Sequence, residues 1–209
     1  MGMDVQDEGY FLDKILMLYD FGLQQISTRV NILRQELGSS QNCNPIEHVK
    51  IRLKTKNSII DKCKRKNFEL SQESVRQNIQ DIAGIRIICS FRGDIYRVAA
   101  MLMQQPDIEV VSYKDYIENP KPNGYQSLHL VLEVPIFLTD RIEKVFVEVQ
   151  VRTVAMDFWA SLEHKIYYKQ KLGLVPSHIT DALKETADTV ARLDEDMEKI
   201  HLEMQKLKH

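Results

Sequence analysis

Lys144-Val145-Phe146-Val147-Glu148-Val149-Gln150-Val151-Arg152 alternates with period two. Successive side chains of a strand point to opposite faces. Val145, Val147, Val149 and Val151 therefore fill one side, and Phe146, Glu148, Gln150 and Arg152 the other. The valine side asks for burial. The opposite side is either an ordinary wet surface or the floor of a site, and the pattern alone leaves both open. Upstream, Ile82-Ala83-Gly84-Ile85-Arg86-Ile87-Ile88-Cys89 reads as a buried strand and Asp94 to Gln105 as a helix. Ile108 to Tyr113 and Ser127 to Val134 are further strands, and Thr153 to Tyr168 is a helix. Alternating strands and helices, with consecutive strands toward the end, predict an α/β (α+β) fold built on a mixed sheet.

Two long helices flank this core. Leu12, Leu16, Tyr19, Leu23, Ile26, Val30, Leu33 and Leu37 recur at steps of three and four, an amphipathic helix from Phe11 to Leu37. Gly38-Ser39-Ser40 and Asn42 to Pro45 end it. A strand from Val49 to Leu53 and a helix from about Ser58 to Lys66 follow, with Asn57 or Ser58 as the expected N-cap. Gly173 and Pro176 break the chain before the last helix. There Ile179, Leu183, Thr186, Val190, Leu193, Met197, Ile200, Met204 and Leu207 form a heptad seam with one polar member. The expectation is one domain over 1–209, with an N-terminal helix (about 1–40), a core (45–170) and a C-terminal helix (177–207).

Composition removes several classes of function. A hydrophobic fraction of 44% suits a soluble core, and no apolar run is long enough to span a bilayer. Gln6 stands where a myristoylation motif after Met1-Gly2 would need Ser or Thr. Three widely spaced cysteines, Cys43, Cys63 and Cys89, argue for reduced thiols in a cytoplasmic protein and against zinc. The 28 basic and 30 acidic residues nearly cancel, so no global field points to DNA. Locally, eight bases face one acid between Lys50 and Lys66.

That basic stretch has internal order. Lys50, Arg52, Lys54 and Lys56 share one face if the segment is extended, and Lys62, Arg65 and Lys66 share a face of the next helix. With Ser58 and the helix N-terminal amides they can surround a triphosphate, although charge alone fits a solvated surface at least as well. No GxxxxGK[ST] loop and no GxGxxG turn is present, so a nucleotide would be bound by another route. Asp81 precedes the Ile82 strand and can serve Mg²⁺, which takes one or two carboxylates plus substrate phosphates; it can equally be a turn residue. Arg86 inside an apolar strand needs an anion or an aromatic plane. Asp81 and Arg86 are five residues apart, so in one regular strand they would point to opposite faces. Either Asp81 precedes the strand or Gly84 marks a bulge.

Lys121-Pro122-Asn123-Gly124-Tyr125 is a turn that projects Tyr125, an aromatic able to stack on a base, and Ser127 and His129 then share a strand face. On the Thr153–Tyr168 helix, Asp157, Ala160, Glu163 and His164 lie on one face and Val154, Phe158 and Leu162 on another. A carboxylate such as Glu163 can accept both N–H donors of guanine's edge, and Trp159 is simplest as core.

Together, Arg52 to Lys66, Asp81 to Arg86, Lys121 to His129, Val147 to Thr153 and Met156 to His164 resemble the RelA/SpoT-type alarmone synthetases, in particular their small, synthetase-only members. The resemblance runs from about Glu47 to Tyr168. It implies a nucleotidyltransferase-like mixed sheet flanked by helices. The implied reaction moves the pyrophosphate of ATP to the ribose 3′-hydroxyl of GDP or GTP. Arg52 and Arg86 would sandwich adenine, and Lys54, Ser58, Lys62 and Arg65 would hold the ATP phosphates. Asp81 and Glu148 would bind Mg²⁺; Glu148 would also activate the hydroxyl, with Gln150 beside it as a further catalytic candidate. Tyr125 would stack on guanine, with Asp157, Ala160 and Glu163 around its edge and Lys114, Lys121 and His129 toward the acceptor's phosphates. Many relatives carry Asn where Asp157 stands. The resemblance also implies a homotetramer, which the terminal helices would assemble. The long members carry a hydrolase domain with a His-Asp pair; this chain has no His-Asp dipeptide, so synthesis without hydrolysis is expected. Two alternatives share these residues: a same-fold enzyme acting on an adenosine nucleotide or a tRNA 3′ end, and a non-catalytic binder of alarmone or RNA. Expected partners are ATP, GDP or GTP and further copies of the chain, not a membrane or DNA. RNA stays open.

Overall fold

The computed structural model describes residues 5–40, 44–168 and 176–207; Cys43 and Gly173 lie outside them. In chain order the elements are α1 (Val5–Ser40), β1 (Ile46–Leu53), α2 (Lys56–Lys66), α3 (Gln72–Asn78), β2 (Ala83–Cys89), α4 (Arg92–Met103), β3 (Glu109–Asp115), β4 (Leu128–Phe137), β5 (Ile142–Thr153), α5 (Val154–Tyr168) and α6 (Ser177–Lys206). The expected mixed sheet is present, in the order β1-β2-β5-β4-β3. Only β2 and β5 run parallel; the other pairs are antiparallel.

One face of the sheet is apolar, as the alternation requires. Val145, Val147, Val149 and Val151 of β5, Leu128, Leu130, Leu132 and Val134 of β4, and Ile85 and Ile87 of β2 are all buried. Helix α1 contributes Leu12, Ile15, Tyr19, Leu23, Ile26 and Val30 to the same core, and α4 adds Ile95, Val98, Ala99 and Leu102. The helix approaches the sheet closely at Gly22, where a Cβ would stand 2.4 Å from Val145 Cγ2. Burial of this stripe, at about 25 cal/mol per Å² of apolar surface, outweighs any intrinsic helix preference.

Several boundaries differ from the sequence reading. Helix α1 continues through Gly38 and Ser39 to Ser40. Thr55, not Asn57 or Ser58, is the N-cap of α2, with its hydroxyl accepting from the Ser58 N–H at 3.3 Å. The short helix α3, capped by Ser71, has no apolar period to announce it over so few residues. The question of Asp81 and Arg86 is resolved at the strand's start. β2 begins at Ala83, so Asp81 sits in the turn before it, and Gly84 is no bulge: it pairs in register with Arg52 and Glu148.

Candidate active site

The polar face is assembled by register. Lys50 of β1 pairs with Arg86 of β2, Arg86 with Gln150 of β5, Gln150 with His129 of β4, and His129 with Lys114 of β3. One row of functional side chains thus crosses all five strands. The next row holds Arg52, Gly84, Glu148, Val131 and Ser112. Partners directly opposite on one face stand about 5 Å apart, so the two rows form a continuous surface.

At the β1–β2 end lies a cleft of about 250 Å³ lined by Arg52, Lys54, Asp81, Gly84, Arg86, Glu148 and Gln150, among others. Gly84 keeps its floor clear: a Cβ there would meet only Arg52 O at 3.8 Å and Glu148 O at 3.9 Å. Asp81 Oδ2 accepts from Lys54 Nζ at 2.8 Å and Oδ1 from Lys62 Nζ at 2.7 Å. Burial works to raise the Asp81 pKa, but the hydrogen bonds and charges of the two lysines outweigh it and hold the carboxyl below its ordinary range. Glu148 Oε2 accepts from Gln150 Nε2 at 3.1 Å. Six of the residues singled out for donor binding or catalysis are therefore brought to one cleft, and Lys62 joins through Asp81. Ser58 sits in the first turn of α2, its Oγ 2.9 Å from Thr55 Oγ1. Arg65 is exposed on α2 and does not line the cleft.

Toward β4 the surface becomes aromatic. The Tyr125 hydroxyl is 2.8 Å from His129 Nε2 and accepts from Arg152 Nη2. Lys121 Nζ lies 4.6 Å from the Tyr116 ring centre and 4.7 Å from that of Tyr125. Tyr116 meets His129 edge-on at 5.2 Å. Burial, then the charges of Arg152, Lys121, Lys114 and Arg86, push the His129 pKa down from 6.5 to about 3, so the imidazole is neutral at physiological pH. The loop that presents Tyr125 turns on Gly124 at φ +86°, where a Cβ would also stand 2.4 Å from Ala187 Cβ of α6. Two independent constraints thus demand glycine there.

Asp157 joins the two halves. From α5, its Oδ2 pairs with Lys50 at 2.9 Å and its Oδ1 with Arg86 at 3.0 Å and Arg152 at 3.4 Å. Burial raises its pKa, yet Lys50, Arg86 and Arg152 together lower it below the ordinary value. Glu163 Oε1 accepts from Asn123 Nδ2 at 3.0 Å, which ties α5 to the Tyr125 loop. Ala160 is buried beside Trp159 and Ala187, in a cluster against which Tyr125 packs. Trp159 is core, donating from Nε1 to Leu183 O at 3.1 Å. Lys114 is exposed on the edge strand, in register with His129.

Sequence reasoning missed three participants. The alternation of β5 puts Arg152 on the right face but assigns it no role. In sequence Asn123 reads only as turn chemistry, because its grip on Glu163 depends on tertiary contact. Tyr116 carries no local signal, because its ring partner His129 comes from β4 and the Lys121 contact depends on how the intervening loop folds.

A mixed sheet with a cation-lined, carboxylate-bearing cleft beside an aromatic pocket defines a nucleotide-handling α/β protein. A model of the region found in RelA / SpoT proteins matches residues 51–172, and the chain belongs to the RelA/SpoT family. It is 51% identical over 182 residues to the GTP pyrophosphokinase YwaC of Bacillus subtilis, covering 87% of this chain and 86% of that protein. The crystal structure of small alarmone synthetase 2 from Bacillus subtilis superposes with a TM-score of 0.82 at 49% identity, over 92% of this chain and 98% of that one. Small alarmone synthetase 1 from the same organism, bound to its product pppGpp, superposes with a TM-score of 0.84 at 35% identity, over 93% and 98% of the two chains. The nucleotidyltransferase-like fold expected from the motifs is thus that of the small synthetases along nearly their whole length. No helix among the described residues is long and apolar enough to cross a membrane.

Proposed function

We propose that this chain is a (p)ppGpp synthetase that transfers the β,γ-pyrophosphoryl group of ATP to the ribose 3′-oxygen of GDP or GTP and releases AMP. The observation that carries this reading is the row Lys50–Arg86–Gln150–His129–Lys114. It sets a polyphosphate cleft and a base-stacking pocket side by side on one rigid sheet, as direct transfer between two nucleotides requires.

Arg52 and Arg86 take the adenine, and Lys54, Lys62 and the first turn of α2 with Ser58 take the phosphates; Arg65 reaches them only from the rim. Tyr125 stacks on guanine, Glu163 and Asp157 bracket the base edge with Ala160 beneath, and Lys121, Lys114 and His129 face the acceptor's phosphates. Glu148 takes the 3′-hydroxyl proton as the oxygen attacks the β-phosphorus in line. The new O3′–Pβ bond forms while the bond from Pβ to the bridging α-oxygen breaks, and AMP leaves with that oxygen. Gln150 orients Glu148 through their hydrogen bond. Catalysis is positioning plus charge stabilisation.

Asp81 and Glu148 fit Mg²⁺. Both are carboxylates on the same cleft, and the ion takes hard oxygen donors with substrate phosphates completing its shell. When bound it would neutralise triphosphate charge, a task the lysines around Asp81 share. Asp81 is paired with Lys54 and Lys62, so a bound Mg²⁺ would be held at its carboxylate while the two lysines would turn to the ATP phosphates. The cytoplasm, which supplies ATP and guanine nucleotides, is the compartment this reading requires.

The exposed faces of α5 and α6 support an assembly of several copies. Leu193, Met197 and Ile200 are 59%, 51% and 55% exposed, and Phe158 and Leu162 of α5 are also bare. This apolar stripe supports a homotetramer joined through α6. The matching seam of α1 packs on the chain's own sheet, so the proposed interface rests on α6. Light scattering should report about four chains, and Leu193→Asp with Ile200→Asp should dissociate them; a monomeric wild type would refute the assembly.

The activity itself is read by supplying ATP with GDP, GTP, GMP or ATP as acceptor and following AMP and product by chromatography. AMP release that requires a guanosine acceptor supports the proposal. Turnover only with an adenosine acceptor, or no turnover with any of them, overturns it.

A further inference from the structure

Arg152 is only 3% exposed, yet each of its three guanidinium nitrogens donates a hydrogen bond. Its Nε donates to Ser127 Oγ at 3.2 Å, Nη1 to Asp157 Oδ1 at 3.4 Å, and Nη2 to Gln150 Oε1 at 2.9 Å and to the Tyr125 hydroxyl. Its Cζ lies 4.9 Å from the centre of the Tyr125 ring. Burying a guanidinium is costly, and a site tuned for stability alone would fill this space with an apolar side chain. The local balance sharpens the point, because Lys50, Arg86 and Arg152 share the single carboxylate of Asp157.

The bonds run in one direction. Arg152 can only donate, so the Tyr125 oxygen is its acceptor, and the hydroxyl proton is left for His129 Nε2 at 2.8 Å. A neutral His129 accepting at Nε2 carries its own proton on Nδ1, which lies 3.8 Å from Glu148 Oε1. Arg152 thus stands at the head of a chain from Tyr125 through His129 toward Glu148, and it holds Gln150 separately.

We propose that Arg152 is the positioning residue of the acceptor half: without touching the nucleotide, it sets the Tyr125 ring and the Gln150 amide so that base and 3′-hydroxyl are presented together. This rests on Tyr125 being the acceptor's stacking ring. The test compares Arg152→Lys, Tyr125→Phe and their double variant in steady-state kinetics, varying GDP and ATP separately. Binding of a non-hydrolysable ATP analogue and thermal unfolding are measured alongside, and Tyr125→Ala serves as a control on the stacking role. Arg152→Lys should cut kcat/KM for GDP about tenfold while ATP-analogue affinity stays within about twofold. Tyr125→Phe, which keeps ring and fold but loses the tether, should cost about fivefold, and the double variant should be no worse than Arg152→Lys alone. Equal losses of GDP use and ATP-analogue binding with a lowered Tm would make Arg152 merely structural and overturn the proposal. Additive losses in the double variant would overturn it too, since Arg152 would not then act through Tyr125. If Tyr125→Ala cripples GDP use while Arg152→Lys and Tyr125→Phe behave as wild type, the positioning role alone falls. If Tyr125→Ala leaves GDP use intact, the acceptor reading itself falls.

Discussion

The two halves of the polar face are built on opposite principles. At the β1–β2 end, Asp81, Lys54 and Lys62 are partly exposed side chains held by charge-assisted hydrogen bonds, and every partner can be traded for a phosphate or a cation. At the β4–α5 end, Arg152, Tyr125, His129 and Asp157 are locked by directional hydrogen bonds and ring contacts in a largely buried setting. The difference suits the ligands. A triphosphate is a flexible polyanion that needs adaptable cations, whereas a planar base needs a preset slot. The donor half should therefore respond mainly to charge and salt, and the acceptor half mainly to shape and proton placement, with Lys114 and Lys121 giving its phosphates a smaller salt dependence.

The largest effect is expected where the halves meet the chemistry. Glu148→Gln or Asp81→Ala should lower kcat by about a hundredfold or more, with Mg²⁺ chelation doing the same, while circular dichroism and Tm show an intact fold. A variant that kept near-native turnover would remove that carboxylate from the site. The acceptor slot comes next. Losing a stacking ring costs about 1–3 kcal/mol, so Tyr125→Ala should weaken guanosine nucleotide use about tenfold or more and leave ATP binding unaltered. A matching loss for ATP would erase the distinction between the halves.

Salt separates them more gently. Raising ionic strength shortens the Debye length to about 8 Å at 0.15 M and about 3 Å at 1 M, so the KM for ATP should climb several-fold more steeply than that for the acceptor. Equal slopes would mean that the acceptor half is also held by charge. The smallest effect concerns protons. His129 has its folded pKa depressed to about 3 against an ordinary 6.5, so between those values the unfolded chain binds a proton that the folded one refuses. Its contribution is intact above about pH 6.5 and is lost progressively as pH falls toward 3. Chemical denaturation at pH 7 and pH 5 should show that decline, and His129→Asn should reduce the slope. An unchanged slope would mean that His129 is not held neutral by its surroundings.

Much of this was legible without coordinates. The alternation from Lys144 to Arg152 separated the buried valines from Glu148 and Gln150, and the basic period brought Lys50, Arg52 and Lys54 to the cleft, but β1 ends at Leu53 and Lys56 opens α2, where it pairs with Asp13 instead. The turn before Tyr125 was readable because Pro-Asn-Gly has little else to be. Thr55 as the cap of α2 was missed because Asn57 and Ser58 are equally good capping residues, and only the backbone's course selects among them.

What the sequence determined by itself is local: which side chains share a face of a strand or helix, since periods of 2 and 3.6 are properties of the backbone. Which faces then meet is a long-range matter. Helices α1 and α6 carry the same three-four rhythm, yet α1 is spent on the sheet while Leu193, Met197 and Ile200 of α6 stay bare. No period encodes which apolar stripe finds the sheet first. In the same way, Lys50, Arg86, Gln150, His129 and Lys114 were five separate residues on four separate stretches plus an edge strand. Strand register, fixed by packing of the valine and leucine face against α1 and α4, made them one row. Burial of the far side of the sheet thus aligns the chemistry on the near side, and only the tertiary structure could decide it.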